Sequence, residues 1–317
     1  MKPDADEILA FIDRLGRERW LGQQRRKWPF HLYHYTDVSN AASIIRHGCL
    51  YSRSGCGTHD VTFSDAADQL VIGHAPWAHA YVRLYFAPRT PTQYWMEGIR
   101  PSANRRNNAH CPVPVFFVFD SKALLVRDGC KYTNGNLSSA YSVTGSTAQF
   151  LSSLPFHDIY HRGPILGRKP EIISARCAEV LFESQLDLQH LTSIVCRSGP
   201  EREMLLYVIG RELASRWKKR IRLEQPGEVL FERRWFYVKE VTAFGTRLHI
   251  QFNRSLGEHE RSVILHDRNV RSGLRRVTAA QNHEIYALPR SADRLAIQIQ
   301  LLGCTAYEGA LTEREVF

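Results

Sequence analysis

The chain contains 317 residues, of which 44% are hydrophobic and 23% are charged, a composition typical of a globular protein of about two domains. No apolar run approaches the roughly 20 residues that a helix needs to cross a bilayer, so we expect no membrane partner. The net charge of +10 and the pI of about 9.4 favour an anionic partner, most simply nucleic acid; the alternative is a basic charge that serves only solubility.

The cysteines indicate a reducing compartment. There are seven of them, an odd number, and no two form a CxxC pair, which argues against a structural zinc site. The N-terminal pattern is an amphipathic helix with early acidic residues, without the apolar core of a signal peptide. We therefore expect free thiols, no metal, and an intracellular, cytoplasmic location.

The first 50 residues contain a helix and then a strand–helix unit. Residues 1–27 have a helical pattern that ends in a basic cluster. The stretch HLYHYTDVSNAASIIRHGCL alternates as a strand in its first half and is helical in its second half, with Gly48 as the helix stop. His34 and Thr36 share one face of this strand. A lone histidine of this kind is more often structural than functional.

The sequence pattern in the middle of the chain predicts several strands separated by turns and loops, and one long helix. We expect strands in AYVRLYF, CPVPVFFVFD, ARCAEVLFE, TSIVCRS and FERRWFYVKE, a turn in KYTNGNLSS, and loops over 140–170. The helix is GPEREMLLYVIGRELASRWKKR, with acidic residues at its start and basic residues at its end.

After residue 239 the pattern changes to short alternating stretches separated by turn signals, which predicts a small all-β module over 239–317. Residues 240–317 contain ten basic and nine acidic side chains, so the excess positive charge belongs to the part that precedes them. If nucleic acid binds, we expect it to bind there. The module has no readable motif; partner recognition or completion of a substrate groove are the roles we consider.

Two further clusters could carry chemistry. Glu179 interrupts an apolar strand, where a carboxylate is costly to bury unless it is paired or useful. The structural alternative is a glutamate at a strand edge with an ion pair to Arg176 or another arginine. Arg89 lies among aromatic residues in YFAPRTPTQYW, which is either plain packing or a surface that binds phosphate and stacks on bases.

Taken together, the motifs resemble those of DarT, a family of toxins that ADP-ribosylate bases in single-stranded DNA. The similar stretches are YHYTDVSNAASIIRHGCL, YVRLYFAPRTPTQYW, YTNGN, RCAEVLF and RRWFYV, in the family's order. The resemblance covers 28–238. It implies an α+β fold, with the split mixed β-sheet core and flanking helices of ADP-ribosyltransferases, between the N-terminal helix (1–27) and the β-rich module (239–317).

The resemblance also implies roles for individual residues. Glu179 corresponds to the catalytic glutamate. Members of the family carry a catalytic arginine between the first helix and the aromatic strand, but the corresponding stretch here, VTFSDAADQLVIGHAPWAHAYV, is followed by its first arginine only at Arg83. Arg53, from a neighbouring position, is the residue that we expect to substitute for it. Residues expected to bind or border NAD are His34, Thr36, Gly48, Leu50 and Tyr85. Residues expected to contact nucleic acid are Arg89, Thr90, Tyr94, Asn134 and Asn136, the last two in a substrate-recognition loop.

The implied activity is that of an NAD-dependent glycosyltransferase of the pentosyltransferase class. It would transfer ADP-ribose to a base in single-stranded DNA as a toxin or phage-defence effector, with a DarG-like macrodomain antitoxin as partner. NAD would be the co-substrate, without a metal. Two alternatives stay open: a base in RNA as the acceptor, or a catalytically inactive module that only binds nucleic acid.

Overall fold

The computed structural model describes residues 1–61, 63, 76–105, 109–165, 167–254, 261–267, 270–276, 282–288 and 295–311. Most of the stretch in which the family's catalytic arginine would be expected, residues 62 and 64–75, lies outside the described residues. Parts of the predicted C-terminal strands, such as 289–294 and the end of the chain after 311, lie outside them as well.

The described helices are short. They are α1 (Ala5–Gly16), α2 (Gly22–Arg25), α3 (Val38–His47), α4 (Arg53–Thr58), α5 (Pro91–Met96), α6 (Ser121–Leu125), α7 (Ala148–Ser153), α8 (Phe156–Ile159), α9 (Lys169–Ala175), α10 (Gly199–Ile209) and α11 (Arg211–Trp217). Short 3₁₀ helices occur at Arg19–Leu21, Trp28–Phe30, Pro76–Ala80 and Ser102–Asn104. None of the helices in these described ranges is long and apolar enough to cross a membrane.

Seventeen strands are described. They are β1 (His31–Asp37), β2 (Cys49–Tyr51), β3 (Tyr81–Tyr85), β4 (Pro114–Asp120), β5 (Lys131–Thr133), β6 (Thr144–Gly145), β7 (Glu179–Glu183), β8 (Gln185–Asp187), β9 (Leu191–Cys196), β10 (Ile221–Leu223), β11 (Val238–Phe244), β12 (Arg247–Phe252), β13 (Arg261–Asp267), β14 (Val270–Arg276), β15 (His283–Ala287), β16 (Ala296–Leu301) and β17 (Cys304–Ala310).

The main sheet has eight strands in the order β10-β9-β4-β1-β3-β7-β5-β6. Only the β9–β10 pair is parallel, so the sheet is mixed. Strand β4 is apolar and buried over 114–119, as expected for a strand covered on both faces. This mixed sheet with helices around it confirms the predicted α+β class.

The strand–helix unit at the start of the sheet follows from its capping residues. Asp37 ends β1 and caps α3: its carboxylate accepts hydrogen bonds from the backbone N–H of Ser39 (3.1 Å) and of Val113 (3.2 Å). Gly48 ends the helix with φ = 71°, a left-handed conformation that favours glycine. The chain therefore turns directly from α3 into β2, which pairs antiparallel with β8 in a separate two-stranded sheet.

Several sequence predictions were wrong in detail. The 1–27 segment is broken into α1, a 3₁₀ turn and α2 rather than one helix. The 140–170 region contains α7, α8 and the start of α9. The long predicted helix is divided at Gly210, whose φ of 85° is incompatible with a continuous helix. Residues 231–237 are mostly irregular, with one bridge at Phe236, and the strand begins only at Val238.

The described C-terminal strands form two small antiparallel sheets, β11-β12-β15 and β14-β13-β16-β17, and β17 packs against α10. Alternation along β12 buries Leu248, Ile250 and Phe252, which join the same hydrophobic core as the main sheet. The β-rich character expected after residue 239 is therefore present, while the exact domain boundaries stay a prediction. All seven cysteines, each within the described ranges, are free thiols.

Candidate active site

The first cavity, about 250 Å³ in volume, lies where β1, the α3–β2 turn, α4 and β3 converge. Six residues predicted from the sequence line it: His34, Thr36, Leu50, Arg53, Tyr85 and Thr90. Gly48, also predicted, ends α3 next to the lining residues 47 and 49. Because small-molecule sites are commonly about 300–1,000 Å³, this cavity suits part of a dinucleotide.

His34 and Thr36 present different chemistry to this cavity. His34 Nδ1 lies 3.2 Å from the backbone carbonyl oxygen of Arg83, and burial lowers the pKa of His34 to about 4, so its ring is neutral at neutral pH. Thr36 Oγ1 accepts a hydrogen bond from Asn40 Nδ2 (3.1 Å). The cavity wall thus offers neutral hydrogen-bonding groups, which can hold an amide or ribose without repelling a cationic ring.

Glu179 is the first residue of β7 and is only 1% exposed. Its Oε2 accepts a hydrogen bond from the backbone N–H of Leu137 (2.8 Å), and its Oε1 lies 3.7 Å from Nη1 of Arg83. The hydroxyl of Tyr85, the direct cross-strand partner of Glu179, also hydrogen-bonds the carboxylate. Burial raises the pKa of Glu179, and the Arg83 charge, the Leu137 N–H and the Tyr85 hydroxyl oppose that rise.

Arg83 was missed as a site residue. It lies on β3 two positions before Tyr85, lines the first cavity and forms the ion pair with Glu179. The available signal was the alternation of β3, which places Arg83 and Tyr85 on one face. Arg53, the residue predicted from the sequence, lines the same cavity, with its guanidinium 5.3 Å from the ring centre of Phe63. The role predicted for Arg53 stays a prediction.

The two predicted asparagines shape the loop between β5 and β6. Asn134 Oδ1 accepts a hydrogen bond from the backbone N–H of Val143 (2.8 Å), and Asn136 Oδ1 accepts one from that of Ser138 (2.9 Å). The loop in turn directs the N–H of Leu137 at Glu179. The structure therefore places the asparagine side chains in contacts within the loop; their contact with nucleic acid stays a prediction.

A second cavity, of about 530 Å³, is lined by three of the predicted nucleic-acid residues, Arg89, Thr90 and Tyr94. We call it the basic cavity, because its lining contains four cationic side chains and one carboxylate: Arg89, Arg162, Lys169, Arg176 and Glu232. Thr90 lines the first cavity as well, so the two cavities adjoin. Tyr94 (37% exposed) and Trp95 (43% exposed) expose part of their rings at its edge, and the guanidinium of Arg234 lies 3.8 Å from the ring centre of Tyr94; exposed aromatic surface of this kind suits stacking on bases.

Arg89 is fixed by the backbone around it. Its φ is 57°, a left-handed conformation that a non-glycine residue seldom adopts, and its N–H donates to Oε1 of Gln93 (2.7 Å). Its Nε donates to the carbonyl oxygen of Phe231 (3.1 Å), and Arg176 donates to the carbonyl oxygen of Arg89. Such strained residues concentrate at binding sites, where surrounding contacts hold them in place.

Together, the mixed sheet, the buried glutamate and the cavity lined by His34 and Thr36 have the form expected of a protein of the ADP-ribosyltransferase class. The family model described as "ssDNA thymidine ADP-ribosyltransferase, DarT" matches residues 33–231, more than half of the chain. The chain belongs to the DarT family. The predicted family, the enzyme class and the function of ADP-ribosyl transfer to single-stranded DNA, with NAD as co-substrate, are thereby confirmed at the level of the family.

Solved structures support the fold. The chain is similar to the DarT of Thermus sp. 2.9 in complex with ADP-ribosylated ssDNA, at 16% identity and a TM-score of 0.51, covering 64% of this chain and 96% of that one. The complex of the same Thermus protein with carba-NAD+ matches at 17% identity and a TM-score of 0.50, covering 64% and 98%. No curated protein sequence matches this chain significantly. Within the described residues, no group of histidine, cysteine or acidic side chains could hold a metal ion.

Proposed function

We propose that the first cavity binds the nicotinamide–ribose half of NAD and that Glu179 is the catalytic carboxylate for transfer of ADP-ribose to thymidine in single-stranded DNA. The observation that carries this proposal is the environment of Glu179. A carboxylate that is 1% exposed is costly unless it is paired, and this one has three partners that favour its charged form: Leu137, Arg83 and Tyr85. Two of these partners, Arg83 and Tyr85, line the same cavity as His34.

The reaction needs an ionised carboxylate, and it does not need a protonated acid to assist the leaving group. Cleavage of the bond between ribose C1′ and the nicotinamide nitrogen makes an oxocarbenium-like centre, as in glycoside hydrolysis. Nicotinamide in NAD is cationic and leaves as a neutral molecule, so it requires no proton. The ring nitrogen of thymine forms the new bond to C1′ and loses its proton. Glu179 stabilises the positive centre and accepts that proton.

Arg83 then acts as a positioning residue through Glu179. Its guanidinium opposes the effect of burial on the pKa of Glu179 and so helps to keep the carboxylate ionised at neutral pH. Arg53 lines the same cavity and is a second candidate for contact with NAD. Substitution of each arginine separately distinguishes their roles.

We propose that the basic cavity holds the DNA strand next to the target base. Its cationic residues suit phosphates, and the exposed rings of Tyr94 and Trp95 suit unstacked bases. A base inside a duplex cannot reach a buried carboxylate, which explains the requirement for a single strand. Binding should weaken as salt rises, because phosphate contacts release counterions.

The biological setting is part of the same proposal. An enzyme that modifies DNA bases harms its own host unless it is restrained, which fits a role as a toxin or phage-defence effector inside the cell. A DarG-like macrodomain protein is the partner that we propose, since macrodomain antitoxins accompany the family that the sequence resembles. Co-expression with such a protein should relieve growth arrest caused by the wild-type chain.

The test is mass spectrometry of single-stranded DNA, duplex DNA and RNA oligonucleotides after incubation with protein and NAD. We expect an added ADP-ribose on thymidine-containing single strands only. Glu179→Gln should abolish it while the fold persists, and Glu183→Gln, an exposed glutamate at the other end of β7, should leave it unchanged. Modification of RNA alone, or full activity of Glu179→Gln, would overturn the proposal.

A further inference from the structure

A third cavity, of about 360 Å³, shares Trp28 with the basic cavity. One wall is the N-terminal segment that contains Gln23, Gln24 and Lys27, and the opposite wall is the turn after β10 that contains Gln225. Arg162 of the basic cavity donates a hydrogen bond to Gln24 Oε1. The two cavities are therefore neighbours on one surface. We call the third one the amide cavity.

The lining of the amide cavity combines an apolar floor with a rim of amides. Tyr33 and Leu230 are buried at its floor, while the glutamines are exposed. A carboxamide offers both a donor and an acceptor, and paired amide contacts of this kind read the edges of nucleobases. An apolar floor and convergent amides are what a flat, hydrogen-bonding ring requires.

The charge of the amide cavity is low. Arg222 is neutralised by a bidentate ion pair with Glu228, at 2.7 Å for both contacts. Burial lowers the pKa of His31, which keeps that ring neutral at neutral pH. Among the described residues that line this cavity, Lys27 is the cationic side chain for which no ion pair is seen. This balance suits one base with its single phosphate, rather than a ligand with several phosphates.

One loop connects all three cavities. The carbonyl oxygen of Leu230, in the floor of the amide cavity, accepts a hydrogen bond from Gln93 Nε2 (2.8 Å), and Gln93 lines the first cavity. The next carbonyl oxygen, of Phe231, accepts from Arg89 of the basic cavity. A strand that places its target base at Glu179 and its neighbouring phosphate in the basic cavity reaches the amide cavity next.

We propose that the amide cavity is a nucleotide subsite that binds a base of the same DNA strand at a distance from the target thymidine and so selects the sequence around it. The proposal rests on the proposed function. Most of its N-terminal wall precedes residue 33, where the family match begins, so this part of the site is an addition to the matched region.

The test measures modification of single-stranded oligonucleotides that contain one thymidine and are lengthened one nucleotide at a time on either side. With wild-type protein, we expect kcat/KM to rise at the length that reaches the amide cavity, and to depend there on which base is present. Gln225→Ala should reduce that gain by about fivefold or more, the size of effect that a good base contact produces. Lys27→Ala should reduce the gain by removing the phosphate contact, and this loss should be smaller at high salt.

The controls separate failure of this proposal from failure of the proposed function. Gln189→Ala, an exposed glutamine beside β8, should keep the full gain. The shortest substrate should be modified equally by the wild type and by both variants. If the wild type modifies short and long strands equally, or if the variants keep the gain, the subsite is wrong. If the wild type modifies no oligonucleotide, the proposed function itself has failed.

Discussion

Removal of Arg83 should shift the pH dependence of catalysis. Nη1 of Arg83 lies 3.7 Å from Oε1 of Glu179. Two unit charges about 4 Å apart interact by about 1 kcal/mol in water and about 4 kcal/mol at an effective dielectric constant of about 20. Because the Arg83 side chain is 34% exposed, the effective interaction lies near the lower value, about 1–2 kcal/mol. That energy corresponds to a change of roughly five- to thirtyfold in the protonation equilibrium of the Glu179 carboxylate.

The sign follows from the charge that is lost. Burial already raises the pKa of Glu179, and Arg83 opposes that effect, so Arg83→Ala raises this pKa further. Since the reaction needs the carboxylate, a higher pKa leaves less active enzyme as the pH falls. We expect the acidic midpoint of the kcat/KM profile to move up by about one unit in Arg83→Ala.

The assay is ADP-ribosylation of a short single-stranded oligonucleotide, followed across the acidic pH range. Arg127→Ala removes a comparable surface arginine, paired with Asp187 at 3.2 Å, and should leave the midpoint unchanged. Arg53→Ala should lower activity without moving the midpoint if Arg53 contacts NAD. A profile of Arg83→Ala that is lowered at every pH but keeps the wild-type midpoint would refute the electrostatic role of Arg83.

Three further effects follow from single residues. The pKa of His34 is about 4 in the folded protein and about 6.5 in the unfolded chain, so its contribution to the free energy of unfolding is complete above pH 6.5 and is lost as the pH falls towards 4. Between about pH 7 and pH 5, the wild type should therefore lose about 2 kcal/mol more stability than His34→Asn does, as measured by denaturant unfolding. Lys169→Ala should weaken binding of single-stranded DNA and reduce the salt slope by about 0.7, as seen by fluorescence anisotropy, and an unchanged slope would remove Lys169 from the phosphate contacts. Gly48→Ala should destabilise the fold by about 1–2 kcal/mol, because φ is 71° and the added Cβ meets no atom within 4 Å, so backbone strain alone is measured; an unchanged melting temperature would contradict this.

The sequence was sufficient for the parts of the site that lie on one continuous segment. The strand–helix unit that contains His34 and Gly48 has an alternating pattern, a capping aspartate and a glycine stop, and each of these signals is local. Glu179 was identifiable because a carboxylate within an apolar strand is expensive. The fold class followed from the resemblance of these motifs, in their order, to the DarT family.

The sequence was insufficient where position depends on pairing between distant segments. Arg83 reaches Glu179 because β3 and β7 pair with Tyr85 opposite Glu179, and no local pattern encodes that register. The short helices α7 to α9 have too few turns for a periodic signal. The irregular run before Val238 has the composition of a strand, but its backbone N–H groups at 232 and 233 donate to the buried carboxylate of Glu97 instead of to a neighbouring strand.

The β5–β6 loop links recognition of the acceptor to the reacting carboxylate. Two hydrogen bonds hold Glu179 in place. Its backbone N–H donates to Oγ1 of Thr133 on β5 (2.8 Å), and its Oε2 accepts from the backbone N–H of Leu137 in the loop. The amides of Asn134 and Asn136 fold the loop so that this N–H points inward. Movement of the loop on binding a DNA strand would therefore change both the position and the pKa of Glu179, because one of the three groups that favour its charged form belongs to the loop. Asn134 and Asn136 can thus affect the rate without touching the base. A loss of kcat on substitution of either residue would therefore not show that it recognises DNA. A change in KM for DNA at constant kcat would show this.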